Sequence, residues 1–219
     1  MNIKIIMNNF EIIRAGINTT FQDNGRKNLN HIGIPLSGAM DKRNYILANS
    51  LMGNKIDKPV IEFAYQGPLI KYKGDRISFA ITGDVIFKLI KKENEIQGNC
   101  YESYDLEDGD QIDIISTNKS VYGYLAINGE FDLEFKWGSC SINTKANIGS
   151  NSGKKLQNSQ KINIFKKNFN QKKKKLNYIN TKIDKIRVIE GTNFNYFSET
   201  TKKIFFENEF TISKLSDRM

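Results

Sequence analysis

At 219 residues, 39% hydrophobic and 11% aromatic, the chain carries enough apolar side chain for a packed core, and its formal charge is +9. No apolar run approaches the roughly 18 residues a membrane-spanning helix needs, and the opening MNIKIIMNNFEII has neither a basic start nor a small-residue cleavage site. A soluble, cytoplasmic protein with no membrane contact is expected; Cys100 and Cys140, far apart and without a CxxC, support neither a disulfide scaffold nor a metal site.

In chain order, short runs rich in Ile, Val, Phe and Tyr predict strands over Phe10 to Arg14, Arg76 to Thr82, Val85 to Ile90, Gln111 to Ser116, Tyr122 to Ile127, Lys161 to Phe165, Lys185 to Ile189 and Phe210 to Lys214. Asp108-Gly109-Asp110 and Asn128-Gly129 supply turns in which φ > 0 is easily reached. One stretch has helical spacing instead. Tyr45, Ala48, Leu51 and Met52 share a face, Asp41 can cap the N-terminus, and Gly53 stands where a helix-ending glycine belongs. Regular strands with one helix near residues 41–52 predict a mainly β fold, closed or sandwiched, rather than alternating βαβ units. The expected organisation is a β region over 1–149, a lysine-rich loop with one embedded strand over 150–181, and a final part over 182–219.

The positive charge is local. Lys154 to Lys185 holds eleven lysines against the single acid Asp184, and the rest of the chain has 22 basic and 23 acidic groups. Nucleic-acid surfaces mix arginine and aromatic rings with their lysines, because guanidinium forks grip phosphates and rings stack on bases. This run has no arginine, so it reads as a solvated loop and no nucleic-acid partner is expected.

Special residues crowd into positions 14–68, which hold the sole histidine, His31, all three prolines and six glycines. Such turns are where binding and catalytic groups concentrate. His31 is the one side chain whose ordinary pKa lies near neutrality, so any histidine acid or base must be this residue. Asp23, Asp41 and Glu62 are candidate carboxylates, and Arg14, Arg26 and Arg43 candidate anion binders. Ser37-Gly38-Ala39-Met40-Asp41 runs into the helix, so its backbone amides could hold a carboxylate or phosphate, although every capped helix has such an end. There is no Walker A, GxGxxG, HExxH or GxSxG pattern, which excludes an independent ATPase, dehydrogenase or serine hydrolase of those types.

Five blocks resemble a known family: IRAGINTTFQDNGR from Ile13, HIGIPLSGAMDKRNYILANSLMGN from His31, IEFAYQGP from Ile61, FAITGD from Phe79 and YLAING from Tyr124. They are similar to the family that includes the C-type subunit of 5-oxoprolinase, the second subunit of allophanate hydrolase and the biotin-dependent carboxyltransferase domain of urea amidolyase. Weaker echoes follow in WGSCS from Trp137, IRVIEG from Ile186 and SDRM from Ser216, while Ala15, Asn28, Cys140 and the stretch 148–153 depart from the family pattern. The resemblance implies a cyclophilin-like β-barrel architecture of two related units, the second incomplete in a C-terminally shortened chain. It implies ATP-dependent opening of 5-oxoproline to glutamate with companion 5-oxoprolinase subunits, one A-like and one B-like, that bring ATP and Mg²⁺. The alternatives are carboxyl transfer from carboxybiotin to urea or a similar amide, or a non-catalytic antagonist of a kinase inhibitor. The site residues that follow are His31, Asp41 and Asp23 for catalysis, and Gln22, Arg26, Ser37, Gly38, Ala39, Asn49, Glu62 and Arg218 around a small amide substrate.

Overall fold

The computed structural model describes residues 8–92, 94–166, 173–177 and 187–211. The chain divides into two compact units, Met1–Tyr178 and Ile179–Met219. In the first, β1 (Asn8–Arg14), β4 (Leu69–Lys73), β6 (Val85–Lys91), β7 (Asn94–Gln97), β9 (Gln111–Thr117), β11 (Gly129–Phe131) and β12 (Lys161–Lys166) form a seven-stranded sheet in the order β11-β12-β1-β4-β9-β6-β7. The other sheet has five strands, β2 (Asn18–Gln22), β3 (Val60–Ala64), β5 (Ile77–Thr82), β8 (Ser103–Leu106) and β10 (Tyr122–Ile127), ordered β2-β3-β10-β5-β8. The fold is mainly β, and its strand pairs are antiparallel.

Period-two alternation places the core between the sheets. Phe10, Ile12, Ile70, Phe87, Ile112 and Ile114 from one sheet meet Phe21, Ile61, Phe63, Phe79, Ile81 and Leu125 from the other. Fully burying each such side chain stabilises by about 1.5–3 kcal/mol before entropy is counted. The five-stranded sheet is buried on its outer face too, where Val60, Ala80, Tyr124 and Ala126 meet Tyr45, Ala48 and Leu51 of α1 (Lys42–Leu51) and Met52 just after it. Asp41 caps this helix, and Gly53 follows at φ 63°, as its spacing predicts.

All six strands predicted in this unit are present. Of the six that sequence patterning does not predict, four are weaker in pattern: NTTFQ and VIEFA place polar Thr20, Gln22 and Glu62 at buried positions, NEIQ is exposed throughout, and GEF has three residues. Gly109 adopts the expected left-handed turn at φ 90°. Asn128-Gly129 does not: neither residue has positive φ, because the chain crosses there from β10 in one sheet directly into β11 in the other.

The strand embedded in the lysine-rich stretch is β12, bonded to both β11 and β1, and residues 173–177 are exposed, as a solvated loop would be, but they also lie along the start of β8. Ser103 N–H donates to the Lys174 carbonyl (2.9 Å) and Leu176 N–H to the Tyr101 carbonyl (2.9 Å), covering an edge of the five-stranded sheet.

The second unit contains a helix that the sequence pattern does not predict, α2 (Glu199–Glu207); Ser198 caps it by accepting from Thr201 N–H (3.2 Å), and Glu199 pairs with Lys202. Its aromatic residues Phe205 and Phe206 line a hollow of about 530 Å³ with Val188, Ile189, Phe194 and Phe197. The predicted strand at Lys185 to Ile189 is absent over Arg187–Ile189, and Phe210 and Thr211 are likewise irregular; the remainder of both runs lies outside the described residues. A β-rich run becomes a strand through a partner, and the described residues of this unit supply none.

Candidate functional site

Register sets a polar row across the outer face of the five-stranded sheet. Thr20 lies opposite Glu62, Glu62 opposite Tyr124, and Tyr124 opposite Thr82. Residues facing each other on adjacent strands share a face, so these four buried side chains form one line under α1 and the loop 37–41. The Tyr124 hydroxyl donates to Glu62 Oε2 (2.9 Å) and the Thr82 hydroxyl to the Asn44 carbonyl (2.8 Å). Burial, reinforced by the Glu62 charge, pushes the Tyr124 hydroxyl far above its ordinary pKa, which keeps it a donor.

The loop above is held by three successive amides. Ala39 N–H donates to the Asp23 carbonyl (2.9 Å), Met40 N–H to Glu62 Oε2 (2.8 Å) and Asp41 N–H to the Tyr124 oxygen (2.6 Å). The Asp41 carboxylate accepts from the Asn44 amide (3.0 Å) and side chain (2.6 Å). Sequence patterning leaves these amides open for a ligand anion; in the structure the protein's own oxygens occupy them.

Next to this row lies a second cluster, built where the loop 23–26 meets the turn 137–141. Asp23 Oδ1 accepts from Ser139 Oγ (2.6 Å), Ser141 Oγ (2.5 Å) and Gly25 N–H (2.8 Å), and Oδ2 accepts from Cys140 N–H (2.8 Å). Burial alone would raise this carboxyl's pKa, but the four bonds win and hold it below the ordinary aspartate value. Arg26, 1% exposed, donates through Nη2 to the Ser141 (2.7 Å) and Ser139 (3.4 Å) carbonyls. Burial lowers its pKa and the charge of Asp23 opposes that. Burial also drives the Cys140 thiol well above its usual value, with Asp23 adding to the effect, so it is a poor nucleophile.

Backbone approach depends on glycine here. Gly25 sits at φ 79°, and a Cβ on it would lie 2.5 Å from the Leu36 carbonyl oxygen. Gly38, at φ 89°, faces the Gly25 nitrogen at 2.9 Å by the same measure. Asn28, one of the departures from the family's glycine pattern, also has positive φ, 61°, which Asn tolerates better than most residues.

Among the described residues, three buried side-chain atoms of this cluster have no partner: Arg26 Nε, Arg26 Nη1 and Gln22 Oε1. Gln22 Nε2 is engaged, donating to Thr20 Oγ1 (2.9 Å) and the Ile142 carbonyl (2.9 Å). Two donors and one acceptor thus remain in a wall that also contains an ionised carboxylate.

The structure brings Gln22, Asp23, Arg26, Gly38, Ala39, Asp41 and Glu62 together, with Ser37 at the margin, where its Oγ accepts from Asn143 (3.5 Å). His31 is not bonded into this assembly: it sits exposed in the single 3₁₀ turn Asn30–Ile32. Asn49 ties the far end of α1 to Lys58 and Asn54. Arg14 pairs with Asp113 on the seven-stranded sheet (2.6 Å), Arg43 is exposed, and Arg218 lies outside the described residues. The structure adds Thr20, Tyr124, Ser139 and Ser141, which the sequence does not single out as site residues. Tyr124 stands in YLAING and the serines in WGSCS, where Trp137 (φ 52°) and Gly138 (φ 75°) make the turn. No group of three or more His, Cys, Asp or Glu among the described residues is placed to hold a metal.

The family model for the carboxyltransferase domain, subdomains A and B, matches residues 32–219. The chain belongs to this family. It is similar to the C-type subunit of 5-oxoprolinase from Haemophilus influenzae, 27% identical over 209 residues, and the match spans 95% of this chain and 66% of that protein. It is similar also to the urea amidolyase of Lachancea kluyveri, 34% identical over 154 residues, or 68% of this chain and 8% of that one. Among solved structures, the K. lactis urea amidolyase superimposes with a TM-score of 0.68 at 28% identity, covering 74% of this chain and 10% of that chain. The chain therefore spans just under two thirds of its 5-oxoprolinase relatives, and no helix among its described residues is long and apolar enough to cross a membrane.

Proposed function

We propose that the chain is a subunit of an ATP-dependent 5-oxoprolinase complex that opens 5-oxoproline to glutamate. The supporting observation is the set of unpartnered atoms beside Asp23. A lactam offers a carbonyl oxygen and a ring N–H on one edge; the oxygen would accept from Arg26 and the N–H would donate to Gln22 Oε1. Leaving such buried groups unsatisfied costs about 1–3 kcal/mol each, so a ligand that satisfies them gains that much. Entry requires the loop 36–39 to lift from 23–26, to which it is held by Arg26 N–H on the Leu36 carbonyl (2.7 Å) and Ala39 N–H on Asp23. ATP and Mg²⁺ are assigned to A-like and B-like companion subunits in the cytoplasm, because this sequence has no Walker A pattern and its described residues form no metal-ligating cluster.

Mixing the chain with both companions, ATP, Mg²⁺ and 5-oxoproline should release glutamate only when all three proteins are present. Gln22→Met should then lower kcat/KM by about 10–100-fold, the worth of a buried hydrogen bond. Turnover that is independent of this chain, or unchanged in a folded Gln22→Met variant, overturns the reading.

The higher identity to urea amidolyase favours a second reading, carboxyl transfer to urea or a related amide, with carboxybiotin as donor. It uses the same amide-edge recognition. Product formation that requires a biotin carboxylase and is blocked by avidin would replace the first reading with this one.

A further inference from the structure

The start of β8 is acidic and the segment lying on it is basic. Besides the two backbone bonds already described, Lys174 N–H donates to Ser103 Oγ (2.7 Å), and Lys175 forms an ion pair with Glu102, directly opposite it in the antiparallel bridge. Lys174 Nζ reaches the Ser50 carbonyl in the last turn of α1 (3.3 Å), an oxygen that also accepts from Gly53 N–H (3.1 Å), at the helix end that carries partial negative charge. The segment therefore contacts both the sheet edge and the helix over the polar row.

Tyr101 joins this contact to the site. Its carbonyl accepts from Leu176, its hydroxyl donates to Asn44 Oδ1 (2.7 Å) and accepts from Gly83 N–H (3.1 Å), and the ring is buried. Asn44 in turn supplies both donors that hold the Asp41 carboxylate. We propose that residues 173–177 are an electrostatic latch on the β8 edge, and that its release is transmitted through Tyr101 and Asn44 to the loop bearing Asp41. The lysines stay attached at low ionic strength and leave when their charges are screened or reversed. The latch regulates access to the row of Thr20, Glu62, Tyr124 and Thr82 whichever amide the site accepts.

Hydrogen exchange on the whole chain tests this, with sodium chloride as the probe. Raising salt from about 0.05 M to about 1 M shortens the Debye length from over 10 Å to about 3 Å. Screening of exposed and half-exposed pairs should then speed exchange at the Ser103 and Leu176 amides at least about fivefold, with Asn44 following. Changing Lys173, Lys174 and Lys175 together to Glu should reproduce this at low salt, and Glu102→Gln should do so more weakly. The Ile81 and Leu125 amides, within the β5–β10 pair, report whether each variant is folded. Unchanged exchange at Ser103 and Leu176 in both the salt series and the Glu102→Gln variant overturns the latch. Exchange that rises there while Asn44 stays fixed overturns its transmission to the site.

Discussion

Residues 22–26 and 29–33 are near neighbours in one glycine-rich signature, yet the chain treats them in opposite ways. Gln22, Asp23 and Arg26 are buried, and the two charged groups take at least six hydrogen bonds between them. His31 and its neighbours Ile32 and Gly33 are exposed in a single 3₁₀ turn. A residue type with suitable chemistry is thus not enough to mark a site; what differs is whether other segments come to meet it. The serines of 139–141 reach Asp23 from more than a hundred residues away.

The sharpest test of this contrast is Asp23→Ala. It strands two serine hydroxyls, the Gly25 and Cys140 amides, and the Arg26 guanidinium beside an uncharged methyl group. Breaking a buried, charged network in this way costs about 3–5 kcal/mol, read as a lower urea midpoint at unchanged m-value. The pH dependence has a definite sign. Because the folded pKa is depressed, Asp23's contribution is complete above the unfolded aspartate value of about 3.9 and is lost as pH falls through the folded value. In Asp23→Asn that acid-limb loss should vanish; an acid limb equal to that of the parent chain would show that other carboxylates carry it.

Gly25→Ala probes the same contact through the backbone. With φ at 79° and the new Cβ 2.5 Å from a carbonyl oxygen, either the residue strains or the loop 36–37 moves away. A cost of about 1–3 kcal/mol is expected, together with faster exchange of the Arg26 amide that bonds Leu36. Equal stability would mean that the two loops are held apart from each other in solution.

The sheet body is legible in sequence because its inward residues alternate cleanly: Phe79 and Ile81, or Ile112 and Ile114, announce strands by themselves. Strands β2 and β3 are not, since Thr20, Gln22 and Glu62 occupy buried positions that a hydrophobic pattern reads as solvent-facing. Those same polar interruptions line the candidate site. The helix α1 is visible from its cap and its apolar face, whereas α2 hides within an aromatic run that favours strands when read locally. Proximity of Ser139 and Ser141 to Asp23 is a property of the crossing from β10 to β11 and the turn beyond it, which no local window contains. The lysine run is exposed at 173–177, as its composition suggests, while the bonds of its backbone to the β8 edge are invisible to composition.

Tyr124→Phe separates the polar row from the Asp23 cluster. Losing one oxygen removes a donor to Glu62 and the acceptor for Asp41 N–H, at a cost of about 1–2 kcal/mol. The Asp41 and Asn44 amides should exchange faster while Cys140 N–H keeps its protection. Loss of protection at both places would show that the row and the cluster open as one unit.

The smallest expected effect is that of His31→Gln on stability. An exposed side chain in a three-residue turn contributes within about 0.5 kcal/mol, so the urea midpoint should not move measurably. That silence is what makes the variant informative, because any change in turnover then reflects chemistry rather than folding. In the complex proposed above, a role for His31 as acid or base would make this variant lower kcat by about 10²–10⁴-fold. Unchanged rate and unchanged stability together would remove His31 from the catalytic set and leave the chemistry to the buried groups around Asp23. A stability loss above about 1 kcal/mol would break the comparison itself, since it would mean that the turn at 30–32 is anchored by contacts as firmly as its buried neighbours.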